Sequence, residues 1–324
     1  MDVARLRVLR ALADRGTVTA AARSLSLTPS AVSQQLKVLA REAGVALVEP
    51  DGRRLRLTDA GRALVVRADD VLAALDRAQA EMDAHAGAPH GLVRVAASFP
   101  SGAEMFFPDL LRRTAATAVR IELSDHDVPH PRSQELLADA DVLLTHRDER
   151  SPAPNGARVQ SSLLLREPVD VVLPAEHALA GAGRVELAQL RDEPWVSVAD
   201  GFMIDEILRS LATLTGVQPR VVQRVNDFRV MAALVRVGVG VALMPRHSAT
   251  HPGTARCTLA GIRAARTVDV LVRPHAARRP AVATVLQALR ETAAELARGS
   301  GPEPVHLVVA VAKHPCRGVA LRRG

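Results

Sequence analysis

Two cysteines, Cys257 and Cys316, are all that the sequence holds. That is too few for a disulfide scaffold and suits a reducing compartment. Lysine is as scarce, with only Lys37 and Lys313, so arginine carries nearly all the positive charge. Such uniform arginine use beside abundant Ala, Val and Gly reflects codon composition. The formal net charge of +7 is therefore not in itself a nucleic-acid signature. No run of about 18 uncharged apolar residues occurs, so no membrane span or membrane partner is expected. The N-terminus mixes charged and apolar residues from Asp2 onward and lacks the apolar core of a signal peptide. A cytoplasmic location is expected. No internal repeat of about 20–50 residues is found, which excludes a solenoid.

What is present is a chain of 324 residues, 48% hydrophobic and 24% charged, long enough for more than one domain and an ordinary core. Residues 1–58 read as short helices followed by a hairpin. A helical pattern then runs from Asp59 to about Ala86, until Gly87-Ala88-Pro89-His90-Gly91 breaks it. From Leu92 strands alternate with helices: Leu92–Ala97, Val119–Leu123, Asp141–Thr145, Val169–Leu173, Trp195–Val198, Arg220–Gln223, Val239–Leu243 and Thr267–Val272. Such alternation predicts an α/β fold with a parallel-rich sheet. The stretch 163–168 reads as a crossover between two halves. A last helix spans about Ala281–Leu296, and Gly299-Ser300-Gly301-Pro302 ends the pattern. The tail 299–324 has one apolar run, Val305–Ala312, and is assigned no function.

Residues Thr17–Ala40 carry the most specific signal. Thr17 is a good N-cap behind Gly16, and Val18, Ala21, Ala22 and Leu25 recur at helical spacing. Ser26-Leu27-Thr28 makes a three-residue turn with Leu27 to plug its corner. Thr28 then caps a second helix, with Pro29 at its first position. On a wheel of about 100° per residue, Ser33, Gln34, Lys37 and Arg41 fall on the side of Ser30, and Val32, Leu36, Leu39 and Ala43 fall opposite. One face packs. The other offers small hydroxyls, an amide and cations, which suit the major groove. A generic amphipathic helix would also show a polar face; the tight turn and the small-residue helix before it set this one apart.

Ala46–Glu49, the turn Pro50-Asp51-Gly52 and the alternating Arg53-Arg54-Leu55-Arg56-Leu57 then form an arginine-tipped hairpin suited to a phosphate backbone. Over Met1–Val65, eleven Lys/Arg against six Asp/Glu leave five positive charges, so the basic excess is concentrated here.

These motifs, Thr-Val-Thr-Ala-Ala-Ala-Arg-Ser-Leu, Thr-Pro-Ser-Ala-Val-Ser-Gln-Gln-Leu and Leu-Thr-Asp-Ala-Gly-Arg within 17–62, resemble the DNA-binding domain of LysR-type transcriptional regulators. In outline the resemblance extends to residue 298, weakening in sequence after residue 90. It implies an α/β protein with an N-terminal winged helix-turn-helix, a long linker helix at 59–87, and a two-lobed periplasmic-binding-protein-like effector domain at 88–298. Lobe I would comprise about 92–165 and 267–298, and lobe II about 166–266. It implies DNA contacts at Thr28, Pro29, Ser30, Ser33, Gln34, Lys37 and, in the wing, Arg53, with Arg54 beside it. Gln34 stands where the family commonly has arginine, and Val48-Glu49-Pro50 replaces the usual Phe-x-Arg. The implied partners are double-stranded DNA with an interrupted dyad, a small-molecule effector of unknown identity, one or three further copies of the chain, and RNA polymerase. No cofactor is implied.

Along the linker helix, Leu64, Ala68, Val71, Leu75, Ala78 and Met82 are spaced 4, 3, 4, 3, 4, a heptad seam for a second copy. An intramolecular core helix would show the same spacing over three turns. In the effector domain, Ser98, Phe99, Ser101 and Gly102 follow the first strand and open a helix, an arrangement that suits an anion. Thr145, Asp200, Phe202 and Asp227, in segments that include His146, Asn226 and Phe228, lie at other strand ends. The two aspartates suit an amine or hydroxyl instead, so the signs conflict. Asp125-His126-Asp127 with His130 is read as a surface loop, because Pro129 and Pro131 prevent a helix that would align the histidines. No nucleophile-elbow or phosphate-loop motif occurs, and Cys257, with no His near it in sequence, is read as a buried or surface thiol rather than a redox sensor. A second reading stays open: an α/β binding or enzymatic module joined to a vestigial DNA-binding domain.

Overall fold

The computed structural model describes residues 1–25, 27–52, 54–85, 91–154, 159–248, 251–274 and 276–299. The expected hairpin-tip residue Arg53, the linker at 86–90 and the tail 300–324 lie outside the described residues.

Three short helices start the chain: α1 (Val3–Arg15), α2 (Val18–Ser24) and α3 (Pro29–Ala43). Each begins on a side-chain cap, from Asp2, Thr17 and Thr28 respectively, which satisfies a backbone N–H that the helix cannot. Gly16 and Gly44 end α1 and α3 in the left-handed conformation at φ 69° and 71°. Leu9, Ala21, Val32, Leu36, Leu39 and Leu47 bury together as their core. Each large side chain there contributes about 1.5–3 kcal/mol by leaving water. A two-stranded hairpin follows, β1 (Val48–Asp51) antiparallel to β2 (Arg54–Leu57). The long helix α4 (Asp59–His85) comes next; Thr58 Oγ1 accepts from Gly61 N at 3.0 Å and donates to the Ala46 carbonyl at 2.7 Å. Gly61 is required here, since a Cβ would meet the Leu47 carbonyl oxygen at 2.1 Å.

The remainder is one curled sheet with helices against it. In chain order come β3 (Gly91–Ala97), α5 (Pro100–Thr114), β4 (Val119–Asp125), β5 (Val142–Asp148), β6 (Gln160–Pro174), β7 (Arg184–Val185), β8 (Pro194–Ser197), α6 (Met203–Thr215), β9 (Arg220–Arg224), α7 (Phe228–Arg236), β10 (Val241–Pro245), β11 (Thr254–Leu259), β12 (Ala265–Val272) and α8 (Pro280–Gly299). The sheet order is β4-β3-β5-β12-β6-β10-β8-β9, with β11 pairing β6 and β7.

This sheet is more mixed than the expected parallel-rich one. β4-β3-β5 and β10-β8-β9 are parallel, whereas β12 and β6 run antiparallel to their neighbours. The reason lies in β6. It is a single strand of 15 residues whose first part pairs β12 and whose last part pairs β10 and β11. The stretch 163–168, expected as the crossover, lies within this strand.

The buried apolar residues separate around this strand. Leu165 and Val268 belong to a core with α5 and α8, while Val169 and Ala264 belong to one with α6 and α7. Two lobes thus share β6, and the chain returns to the first of them where Ala264 leads into β12. Beyond the segment Asp125–Asp127, His130–Ala138 forms 3-10 turns, because Pro131 falls in the first turn, where no N–H is needed. No helix among the described residues is long and apolar enough to cross a membrane.

Candidate DNA-reading helix and effector cleft

α3 buries Val32, Leu36 and Leu39, and exposes Thr28, Pro29, Ser30, Gln34 and Lys37. Thr28 Oγ1 accepts from Ala31 N at 3.2 Å and lies 3.0 Å from Ser30 Oγ, so two hydroxyls sit together at the helix start. Ser33 is half-buried and its hydroxyl donates to the Pro29 carbonyl at 2.9 Å. Leu27 does not plug the turn as expected: it is 42% exposed, and Leu25 packs on the core instead.

In the hairpin, Glu49 pairs opposite Arg56 and forms an ion pair with it, while Val48 and Pro50 register with Leu57 and Leu55. The Val48-Glu49-Pro50 departure therefore neutralises one wing arginine. Arg53 lies outside the described residues, as does the side chain of Arg54.

Along α4 the six heptad positions divide. Ala68 is fully buried against the helix-turn-helix core and Leu64 packs at its edge, because this half of α4 lies on α1. Ala68 is thus not part of an open seam. Val71, Leu75, Ala78 and Met82 are exposed, Leu75 by 42% and Met82 by 58%.

Between the lobes lies a cavity of about 380 Å³. Its walls come from the starts of α5, α6 and α7 and the ends of β4 and β5. Of the expected effector residues, Phe99, Ser101, Phe202 and Asp227 line it. The others do not, for identifiable reasons. Ser98 and Thr145 are buried behind the wall, bonded to each other through their hydroxyls at 3.2 Å. Gly102 lies under the Phe99 ring, which a Cβ would meet at 2.3 Å. Asp200 is 72% exposed and ion-paired with Arg209 at 2.9 Å and Arg224 at 3.0 Å.

Sequence reading missed Glu104, Asp125, Asp127 and Arg229, all of which face the cavity. Asp125 and Asp127 stood in a segment read as surface loop; their position at the end of β4 was the available signal. Two contacts cross the mouth from one lobe to the other. Asn226 Nδ2 donates to Asp127 Oδ2 at 2.8 Å, and the Arg229 guanidinium pairs with Glu104 at 2.8 Å.

His146, which lines the floor, stacks on Phe99 with ring centroids 4.0 Å apart and an interplanar angle of 11°. Burial first, then the nearby Arg266 charge, pushes its pKa well below the ordinary histidine value. It is therefore a neutral acceptor for Arg266, which donates to Nδ1 at 3.1 Å. His130, behind it, is also pushed down, mainly by burial. Cys257 is buried and its thiol raised by desolvation, which leaves little reactive thiolate.

Residues 3–62 match the bacterial regulatory helix-turn-helix proteins of the lysR family, and residues 86–294 match the LysR substrate binding domain. A small neutral protease regulatory protein of Streptomyces coelicolor is 32% identical over 248 residues, 73% of this chain and 75% of that protein. The transcriptional dual regulator GltC of Bacillus subtilis is 25% identical over 247 residues, covering 76% and 81%. Among solved structures, a full-length OxyR variant from Pseudomonas aeruginosa superposes with a TM-score of 0.64 at 20% identity, over 90% of this chain and 95% of that one. With both of its domains matched in family order, this chain is a DNA-binding LysR-type transcriptional regulator with an effector-binding domain, and not an enzyme.

Proposed function

We propose that this regulator binds an interrupted dyad as a dimer or a tetramer, and that a small molecule in the interlobe cavity changes its promoter binding. The observation that carries the effector reading is the cavity itself. It is walled by both lobes, which are joined across it by side-chain contacts that a ligand could exchange, Asn226–Asp127 and Arg229–Glu104. A ligand that prefers one lobe angle shifts the population toward it. The half-open seam on α4 supports pairing: four exposed apolar positions at heptad spacing fit a second copy of the same helix. Two recognition helices would then reach half-sites about 34–36 Å or a multiple apart. The expected location is the cytoplasm, with RNA polymerase as a partner at the promoter.

The test is a gel-shift with DNA upstream of the protein's own gene and its neighbours, at moderate salt, with and without small molecules. The expected result is a sequence-selective shift that a ligand alters. A selective shift that no variant of the cavity walls changes, in any ligand condition, counts against the effector reading.

A further inference from the structure

We propose that the interlobe cavity selects an organic cation: a small molecule with an ammonium group on an apolar body of roughly aromatic size. The inference rests on the effector reading of the cavity and names the ligand class for it.

Charge is the first support. Glu104, Asp125, Asp127 and Asp227 line the cavity against one cation, Arg229. Arg229 is already ion-paired with Glu104 at 2.8 Å, so three carboxylates remain without a compensating cation on the wall. His146 adds none, because burial keeps it neutral. A cleft lined by one sign of charge with apolar walls focuses its field on the ligand. Asp125 is exposed and its side chain makes no hydrogen bond or ion pair among the described residues, which makes it the natural seat for an ammonium.

Aromatic placement is the second. The chain has five phenylalanines, one tryptophan and no tyrosine. Three of the five, Phe99, Phe202 and Phe228, line this one cavity. Phe99 is engaged by His146 and has the Arg266 guanidinium 4.9 Å from its centroid. Phe202 and Phe228 are half-buried and are the rings a ligand meets. A ring face attracts an ammonium by about 0.5–2 kcal/mol, depending on desolvation.

The features that would suit an anion are weaker. The Ser98 hydroxyl is bonded to Thr145, and Ser101 accepts from Arg266 at 3.1 Å. The starts of α5 and α6 carry no side-chain cap hydrogen bond, and each supplies about half a positive charge. Together they amount to about one unit against the two carboxylates of Asp125 and Asp127. The start of α7 is already capped by Asp227. The unresolved sign of the effector therefore comes out cationic, with the two helix ends left to a neutral hydroxyl or carbonyl of the ligand.

The test is calorimetric titration of the full chain with 2-phenylethylamine, its N-trimethyl analogue and 3-phenylpropionate, which share a hydrocarbon body. At least one cation should bind about tenfold more tightly than the carboxylate, a difference of about 1.4 kcal/mol. Asp125→Asn should cut cation affinity by about tenfold and leave the carboxylate unchanged. Equal or tighter carboxylate binding, or no saturable cation binding up to about 10 mM, overturns the proposal, as does an Asp125→Asn variant that binds the cations like the parent. Phe228→Ala, checked for folding by circular dichroism, separates the two readings. A carboxylate whose binding it weakens leaves the cavity as the effector site and removes only the charge class. Binding that neither variant touches places the ligand elsewhere.

Discussion

Arg266 Nε donates to Glu167 Oε2 at 2.7 Å, with both side chains fully buried beneath the interlobe cavity. The pair joins β12 to β6, the strand that both lobes share. Its other bonds reach His146 on β5 and Ser101 on α5, and Glu167 Oε1 also accepts from His247 N at 2.6 Å. One guanidinium thus ties together β6, β5 and α5 beneath the cavity.

Removing one partner leaves the other charge buried and alone. Arg266→Met should lower stability by about 3–5 kcal/mol. Adding Glu167→Gln to it should recover a good part of that loss. Urea unfolding followed by circular dichroism measures both; a double variant no more stable than the single one would contradict the pair as the source.

His146 and His130 both have pKa values depressed in the fold, so the unfolded chain binds more protons near neutrality. Their contribution to stability is full above the unfolded histidine value of about 6.5 and is lost as pH falls through it toward their folded values. The urea midpoint should therefore drop between about pH 7 and pH 5.5. His146→Gln, which keeps an acceptor near Arg266, should flatten that dependence, and His130 should account for part of what remains. An identical slope in parent and variant would remove His146 from the explanation.

On α3, Gln34→Ala should cost about 1–3 kcal/mol on the preferred operator and relax its base preference. Lys37→Ala should weaken binding to all sequences and reduce the salt slope by about one. Both side chains are exposed and neither is in the core, so the folded domain should survive. Fluorescence anisotropy over a salt series distinguishes them; equal losses for Gln34→Ala on preferred and random DNA would exclude base readout.

The division of α4 gives a paired prediction. Leu75→Asp alters an exposed position and should yield folded monomers in sedimentation velocity. Ala68→Asp places a charge in the closed core under α1 and should unfold the helix-turn-helix instead. Two variants with the same outcome would mean that the two halves of the helix do not differ as described.

Local signals account for what was legible in advance. Thr17 and Thr28 fulfil their cap roles, and the split between Val32-Leu36-Leu39 and Ser30-Gln34-Lys37 appears as read, since caps and helix faces depend on neighbours a few residues away. The strand–helix alternation after residue 90 was equally visible. Strand direction was not. A run such as 160–174 can read as two pieces with a crossover, and only pairing with β12 on one part and β10 on the other makes it one strand.

The sequence by itself determined the DNA-reading helix, its turn and the order of domains, because those follow from hydrophobic period, cap chemistry and motif. The tertiary structure alone decided the interlobe cavity. Asp125, Asp127, Phe202 and Phe228 come from separate elements, β4 and its following loop, the start of α6 and the start of α7, and they meet because the two lobes are built on the shared strand β6. It also set Asp200 in ion pairs away from the cavity and Ala68 in the closed core, since each has a nearer partner in space that no linear pattern reveals.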